Sequence, residues 1–203
     1  IFKGKELQLN SPHEAIKAGI AFVSEDRKGV GLLLDESIEL NIAFTAIQVK
    51  ERFMKKFLGM TFRSDSEIRE HAKKMIEDLD IRCESPLQNA GSLSGGNQQK
   101  VCVARALTQD PTFLFVSEPT RGIDIGAKKL ILDLLLELNE KSGMTIVMTS
   151  SELAELRSIC DRIIIICYGK VAGVLPPNAS DAEFGLLMSG SRSGAAEGSN
   201  TNG

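Results

Sequence analysis

Short apolar segments alternate with longer amphipathic ones along most of the chain. The segments at residues 20–23, 112–116 and 144–149 are almost entirely apolar, which predicts buried strands. Residues 95–107 and 125–141 carry apolar side chains at helical spacing. Uniformly apolar strands that alternate with helices are typical of a mostly parallel α/β sheet with helices on both faces. The second helix is expected to bury Leu130, Ile131, Leu134, Leu135 and Leu138.

Shorter elements are predicted on either side of this core. Residues 14–18 form a short helix that ends at a glycine, and residues 24–31 form a polar loop. A short helix at residues 152–158 precedes an antiparallel hairpin at residues 162–174. No element is predicted after the hairpin.

The stretch at residues 37–79 is predicted to be an all-helical insertion without a strand. Its best helix opens with a capping box, in which Ser64 and Glu67 satisfy each other's backbone N–H groups. The apolar residues of this helix share one face, and they are Ile68, Ala72, Met75, Ile76 and Leu79.

Composition and charge exclude several classes of function. With 203 residues, of which 42% are hydrophobic, the chain is long enough for one domain with a core, or for one domain and a small insertion. A formal net charge of −3 argues against binding to nucleic acid through bulk charge. The four cysteines form no CxxC or zinc pattern, so no metal site is predicted. Residues 191–203 have almost nothing to bury and are expected to be disordered.

The segment LSGGNQQK is the first candidate for chemistry. Ser94, Gly95 and Gly96 stand at the predicted start of a helix, where unpaired N–H groups and the helix dipole can hold a phosphate. The glycines would let a ligand approach the backbone closely. The alternative is an ordinary serine N-cap followed by flexible glycines.

Acidic residues after the strand at 112–116 are the second candidate. Glu118 follows the end of a buried parallel strand, where open α/β sheets bind their ligands, and it could polarise an attacking water. The alternative is a solvated loop glutamate. Asp124 is expected to cap the next helix and to have a further role.

Taken in order, these motifs resemble the nucleotide-binding domain of ATP-binding cassette (ABC) transporters. LSGGNQQK is similar to the signature motif, FLFVSEP to the Walker B strand, and RGID to the D-loop. SPHEAIKAGIAFVSEDRKGVGLL, LSGGNQQKV and EPTRGIDIGAK together resemble the second cassette of bacterial ribose, galactose and xylose importers. The resemblance covers residues 3–175 and implies a P-loop NTPase-like sheet with an inserted helical subdomain.

The resemblance also implies a division of the chain into regions. In family terms the sequence begins downstream of the P-loop, so the N-terminal part of the fold is expected to be missing. The expected regions are a partial RecA-like core with the Q-loop at residues 1–36, the helical subdomain at 37–92, the remaining core at 93–175, and a C-terminal tail at 176–203.

Roles for single residues follow from the resemblance. In the family, ATP lies between the P-loop of one cassette and the signature motif of the other, so Ser94, Gly95 and Gly96 would contact the terminal phosphate of ATP held by a partner. The same motif includes Gln98, and ATP with Mg²⁺ is the expected cofactor. Further expected site residues are Glu118 as catalytic base, Glu25 at the Q-loop glutamine position, Asp124 in the D-loop and Ser151 in the switch region.

The partners implied are a second nucleotide-binding cassette, expected in the same polypeptide, transmembrane permease subunits and, indirectly, a periplasmic sugar-binding protein. The expected location is the cytoplasmic face of the bacterial inner membrane, with no nucleic acid bound. Two alternatives remain open at this point. One is an ABC-superfamily ATPase without a transport role, and the other is a cassette that serves only as a structural or regulatory partner.

Several departures from the family pattern concern the chain's own ATP site. The sequence contains no G-x-x-x-x-G-K-[ST], the loop that cradles phosphates. Ser117 occupies the Walker B position where the family has an aspartate that orders Mg²⁺, and Ser151 falls where most cassettes have a histidine. The signature motif is unaffected. We therefore expect a degenerate own site and an intact contribution to the site of a partner.

Overall fold

The computed structural model describes residues 1–4 and 6–190, which leaves the predicted disorder of residues 191–203 outside the described part. The described residues fall into two compact units, which divide between Ser151 and Glu152. Along the first unit the elements are α1 (Pro12–Ala18), β1 (Ile20–Val23), a π-helical turn (Arg27–Gly31), α2 (Ile38–Lys50), β2 (Met54–Phe57), β3 (Met60–Arg63), α3 (Asp65–Asp78), a 3₁₀ turn (Ala90–Ser92), α4 (Gly95–Leu107), β4 (Phe113–Ser117), α5 (Ile125–Ser142) and β5 (Thr145–Thr149).

A parallel sheet with the order β1-β4-β5 forms the centre of the first unit. Its pairing confirms the predicted parallel α/β architecture, since both β1 and β5 run parallel to β4. Apolar side chains on one face are almost completely buried, for example Leu114 at 0% and Val116 at 1% exposure. The helices α1 and α4 pack against β1, and α5 packs against β5.

The other face of the sheet presents a row of apolar side chains. Phe22, Phe115 and Val147 stand opposite one another in the strand register. Their exposed fractions are 64%, 42% and 40%, so the described residues leave this row uncovered. Strand alternation explains the pattern, because neighbouring residues point to opposite faces and only one face meets α4.

Helices α2, α3 and α4 pack together beside the sheet. In α2, Ile38, Ile42 and Ala43 are fully buried. The predicted apolar face of α3 is confirmed for Ile68 and Ala72, which are 2% and 0% exposed. The remaining predicted positions of this face are buried at Leu79 and half-buried at Met75 and Ile76.

The capping box predicted at the start of α3 is wrong. Ser64 is the N-cap residue, but its side chain makes no capping hydrogen bond. The Glu67 carboxylate, which would complete the box, instead forms an ion pair of 2.7 Å with Lys55. The Glu67 carboxylate thus pairs with a cation of strand β2 instead of the backbone N–H of Ser64.

The prediction that residues 37–79 contain no strand is also wrong. β2 and β3 form an antiparallel hairpin, with Phe57 paired to Met60 across its turn. Nearly all of its side chains are exposed, so the sequence shows no pattern of buried positions with period two. Leu58 and Gly59 form the turn, and both have positive φ, 49° and 78°.

Leu58→Asn is expected to stabilise the hairpin. A leucine with positive φ is strained, whereas asparagine is among the residues preferred in two-residue hairpin turns. Because Leu58 is 81% exposed, the change removes little buried apolar surface. We expect the free energy of unfolding to rise by about 0.5–1 kcal/mol, measured by urea denaturation. A loss of stability would show that the Leu58 side chain packs in solution.

Helix α5 buries less of its apolar surface than predicted. Ile131 and Leu135 are buried, at 0% and 1% exposure, and Leu134 and Leu138 are half-buried. Leu130 is 49% exposed, so its predicted burial is wrong. The described residues of the first unit therefore cover only part of the apolar face of α5.

A buried polar network joins α2 to α4. The Asn41 side chain is fully buried, and its oxygen accepts hydrogen bonds from Leu33 N at 2.8 Å and from Arg105 Nη2 at 2.5 Å. Arg105 also donates to the backbone oxygens of Asn41 and Gly31, each at 2.7 Å. Burial lowers the pKa of the Arg105 guanidinium, which is nonetheless satisfied by neutral oxygens.

The second unit has a small core of its own. Its elements are α6 (Leu153–Ile159), β6 (Ile163–Cys167), β7 (Lys170–Leu175) and α7 (Asp181–Met188), and the predicted hairpin is confirmed as the β6–β7 pair. Phe184 of α7 is 1% exposed and packs against Ile163 and Ile165. No element was predicted at α7, although Ser180 and Glu183 form a capping box there. Among the described residues, no helix combines the length and hydropathy needed to cross a bilayer.

Candidate functional site

Ser94 caps α4 and orders its first turn, which we call the signature turn (residues 94–97). The Ser94 hydroxyl accepts a hydrogen bond from the Asn97 side-chain nitrogen at 3.0 Å and a longer one from Asn97 N at 3.5 Å. Asn97 Oδ1 in turn accepts from Arg82 N at 2.9 Å. The N-cap expected from the sequence is therefore present. It leaves the turn ordered, with the Ser94 side chain at the surface.

Packing requires only one of the two glycines of the signature turn. At Gly96 a Cβ would lie 2.8 Å from the Ala127 Cβ of α5, so the packing of the two helices requires a glycine. At Gly95 a Cβ would meet only ordinary contacts, the shortest being 3.4 Å to the backbone oxygen of Gly122. The backbone of Gly95 does not have positive φ either. Nothing in the described structure therefore requires a glycine at residue 95.

Gly96→Ala is expected to destabilise the first unit by about 1–3 kcal/mol, because the added methyl group overpacks the contact with Ala127. Gly95→Ala is the matched control, and we expect it to leave the unfolding midpoint unchanged or raise it slightly, since alanine is the better helix former. Thermal unfolding followed by circular dichroism measures both. Equal losses for the two variants would contradict the difference in packing.

Gln98 lies inside the fold. Its side chain is 5% exposed. The side-chain nitrogen donates to the backbone oxygens of Ala90 at 3.3 Å and Gly91 at 3.5 Å. A role for Gln98 toward nucleotide stays a prediction, and the contacts present support the loop that precedes the signature turn.

The structure brings Glu118 and Ser151 together at the carboxyl end of the sheet. The Ser151 hydroxyl donates to Glu118 Oε2 at 3.2 Å. Glu118 itself has a positive φ of 44°, and its N–H donates to the backbone oxygen of Thr149 at 2.9 Å. A strained backbone at a strand end is common at functional sites. The two residues are far apart in sequence, and the catalytic and switch roles expected for them stay predictions.

The same edge offers few ligands for a divalent cation. Next to Glu118, the Ser117 hydroxyl accepts a hydrogen bond from Thr149 Oγ1 at 3.3 Å. Mg²⁺ prefers carboxylate oxygens, and Glu118 supplies the one carboxylate of this set beside neutral hydroxyls. The donor set therefore fits Mg²⁺ poorly.

Asp124 caps α5, since its Oδ1 accepts a hydrogen bond from Ala127 N at 2.9 Å. A cleft of about 270 Å³ brings Asp124 together with Ser94 and Gly96 of the signature turn. Two cations that sequence reasoning missed also line this cleft, Arg82 and Lys100. Lys100 is 8% exposed and donates to the Asp80 backbone oxygen at 2.7 Å, a partner that no sequence pattern indicates.

Glu25 lies beside the turn that follows Glu118. It forms an ion pair of 3.1 Å with Arg121, which begins the D-loop turn (residues 121–124). The two residues line an open cleft of about 330 Å³ together with Asp26, Arg27 and Lys28. The loop at residues 24–31 is thereby joined to the turn after β4.

Comparison with known proteins identifies the family. The model of the ABC transporter family matches residues 1–121, and the chain belongs to this family. It is 41% identical over 180 residues to the ribose import ATP-binding protein RbsA of Lactococcus lactis subsp. lactis, which covers 89% of this chain and 35% of that protein. It is 40% identical over 180 residues to the xylose import ATP-binding protein XylG of Thermoanaerobacter pseudethanolicus, covering 89% of this chain and 34% of the relative.

The fold also has solved counterparts. A dimeric post-hydrolysis structure of the ATP-binding cassette MJ0796 bound to ADP and Pi superposes with a TM-score of 0.66 at 25% sequence identity. The match covers 85% of this chain and 69% of the other. The predicted cassette fold is therefore confirmed. The chain spans about a third of the length of the curated relatives that it matches.

Proposed function

We propose that this chain is part of the ATPase of a sugar importer and supplies the signature turn to an ATP site on a partner cassette. The observation that carries the proposal is Gly95, which the packing of this chain does not require to be a glycine. A bare backbone at the start of a helix is what close approach of a phosphate needs. The similarity to ribose and xylose import ATP-binding proteins supports sugar as the cargo class.

In this proposal the signature turn acts by electrostatics. The Ser94 hydroxyl and the first N–H groups of α4 face the terminal phosphate, where the helix dipole favours negative charge. Because Asn97 and Arg82 already order the turn, little reorganisation is needed when the phosphate arrives. ATP with Mg²⁺, held by the P-loop of the partner cassette, supplies the phosphoanhydride bond whose cleavage drives transport.

Glu118 would be the base of the chain's own site, which Ser151 and Glu25 would complete. Asp124 would help to build the interface with the partner cassette. The hydrogen bond from Ser151 to Glu118 supports a role for the switch region in orienting the Glu118 carboxylate. Ser117 in place of a carboxylate weakens Mg²⁺ binding at this edge. We therefore assign the working site of the importer to the partner's P-loop and this chain's signature turn.

The remaining partners follow from the same proposal. The region at residues 37–92, which contains α2, α3 and the exposed hairpin, would rest against the permease subunits. A periplasmic sugar-binding protein would deliver the cargo to the permease from the opposite side. The chain would then work at the cytoplasmic face of the inner membrane, with its partner cassette in the same polypeptide.

Calorimetry on the 203-residue chain tests the proposal. Without a phosphate-binding loop in its sequence, the chain is expected to bind MgATP with a Kd weaker than about 1 mM, or about −4 kcal/mol. Adding a partner cassette that has an intact P-loop should produce binding at least about 10-fold tighter than the partner shows alone. Tight MgATP binding by the chain itself would contradict the proposal.

A further inference from the structure

Arg27 lies where three segments of the first unit meet. It begins the π-helical turn, and its Nη1 donates a hydrogen bond to the backbone oxygen of Gly95 at 3.3 Å. Its Nη2 lies 3.6 Å from the position that a Cβ would take at Gly95, and 3.6 Å from the same position at Gly122. One planar guanidinium group therefore lies against both the signature turn and the D-loop turn.

The turn that carries Arg27 is held tightly. The Asp26 side chain accepts from Gly29 N at 2.8 Å, and the Asp26 backbone oxygen accepts from Gly31 N at 2.7 Å. A side chain at Gly29 would push away the Asp26 carboxylate, which accepts the hydrogen bond that caps this turn. π-helical turns are rare and frequently occur at functional sites. The backbone thus fixes where the Arg27 side chain begins.

Helix stability does not explain a cation at this position. The N-terminus of a helix carries partial positive charge, and it favours anions rather than an arginine. The Gly95 oxygen that accepts from Arg27 is neutral, so the charge of the guanidinium is not cancelled there. The unfavourable electrostatic energy of a cation beside the helix N-terminus would be offset if an anion bound at the same turn. The ion pair of Glu25 with Arg121 adds a second, exposed link between the same loop and the D-loop turn.

We propose that Arg27 is a positioning residue for the terminal phosphate of the partner's ATP. Its guanidinium lies between Gly95 and Gly122 and holds the signature turn against the D-loop turn. It also adds positive electrostatic potential beside Gly95, the glycine that packing does not require. The proposal rests on the proposed function. It names a residue outside the signature, Walker B, D-loop and switch motifs.

The test measures MgATP hydrolysis by the importer polypeptide that carries this chain. Arg27→Gln is expected to raise KM for ATP about 10-fold, and Arg27→Lys, which keeps the charge but loses the planar fork, about 3-fold. Lys17→Gln is the charge-matched control, because Lys17 of α1 is exposed and lines neither of the two clefts. We expect it to leave KM unchanged. Arg105→Gln is the structural control and should lower Tm with little change in KM.

Each outcome decides the proposal. If Arg27→Gln has the wild-type KM for ATP, the proposal is overturned. A fall in kcat or Tm without a change in KM would indicate a structural role alone. Failure of Arg27→Gln to fold, detected by circular dichroism, also overturns it unless Arg27→Lys folds and shows the raised KM. If Gly95→Asp leaves hydrolysis unchanged, the proposed function itself fails. If Gly95→Asp abolishes hydrolysis while Arg27→Gln has the wild-type KM, only the role of Arg27 fails.

Discussion

Gly95→Asp is expected to lower the ATPase activity of the assembled importer by about 100-fold or more, which is the scale of losing a preorganised anion-stabilising group. The new carboxylate would stand where the terminal phosphate is proposed to approach, so two negative charges would oppose each other. The fold should tolerate the change. A Cβ at residue 95 meets ordinary contacts, and an acidic residue in the first turn of a helix is favourable.

Glu118→Gln is the companion variant in the same assay, and we expect it to lower activity by less than about 3-fold. It removes the proposed base of the chain's own site, where Ser117 stands at the expected position of the Walker B aspartate, while the proposed working site keeps all of its groups. Unfolding midpoints of both variants should stay near that of the parent chain. Comparable losses of activity from the two substitutions would refute the functional asymmetry.

Asn41→Ala is expected to cause the largest loss of stability in the first unit, about 3 kcal/mol. The Asn41 side chain donates to the backbone oxygens of Leu33, Glu36 and Ser37 at 2.8, 3.3 and 3.0 Å. It also accepts from Leu33 N and from Arg105. Removing it would leave several buried groups without partners, including part of a guanidinium group whose pKa burial already lowers.

Urea denaturation of the chain measures this effect, with Asn10→Ala as control. Asn10 is exposed, and its contact with Glu14 is made by its backbone N–H. The control should therefore change the free energy of unfolding by less than about 0.5 kcal/mol. A loss for Asn41→Ala no larger than that of the control would show that water replaces the network.

The sequence was sufficient for the elements that bury apolar side chains. β1, β4 and β5 were predicted from their apolar runs, because a strand buried in a parallel sheet has few polar positions. The β2–β3 hairpin was missed for the opposite reason, since its side chains are exposed and impose no pattern on the sequence. Helix α7 was missed although its capping box was present, because the residues after it were expected to be disordered.

The candidate site shows the same division. The sequence motifs singled out Ser94, Gly95, Gly96, Glu118 and Ser151 separately, but they did not predict the contact of 3.2 Å between Ser151 and Glu118. Arg27 and Arg105 were missed, because both donate to backbone oxygens that every residue carries. A hydrogen bond to a backbone oxygen does not depend on the residue type of the acceptor, so the sequence cannot indicate it. Only the folded chain shows which carbonyl oxygen each guanidinium group reaches.

Covalent capture by a reactive nucleotide would show whether the signature turn meets the ATP of the partner cassette. An ATP derivative with a thiol-reactive group on its terminal phosphate would be added to the importer polypeptide bearing Ser94→Cys, and the labelled residue would be found by peptide mapping. Labelling is expected at residue 94 only when the partner cassette has an intact P-loop. Labelling that persists after the P-loop lysine of the partner is removed, or an active complex that is never labelled there, would contradict the proposal.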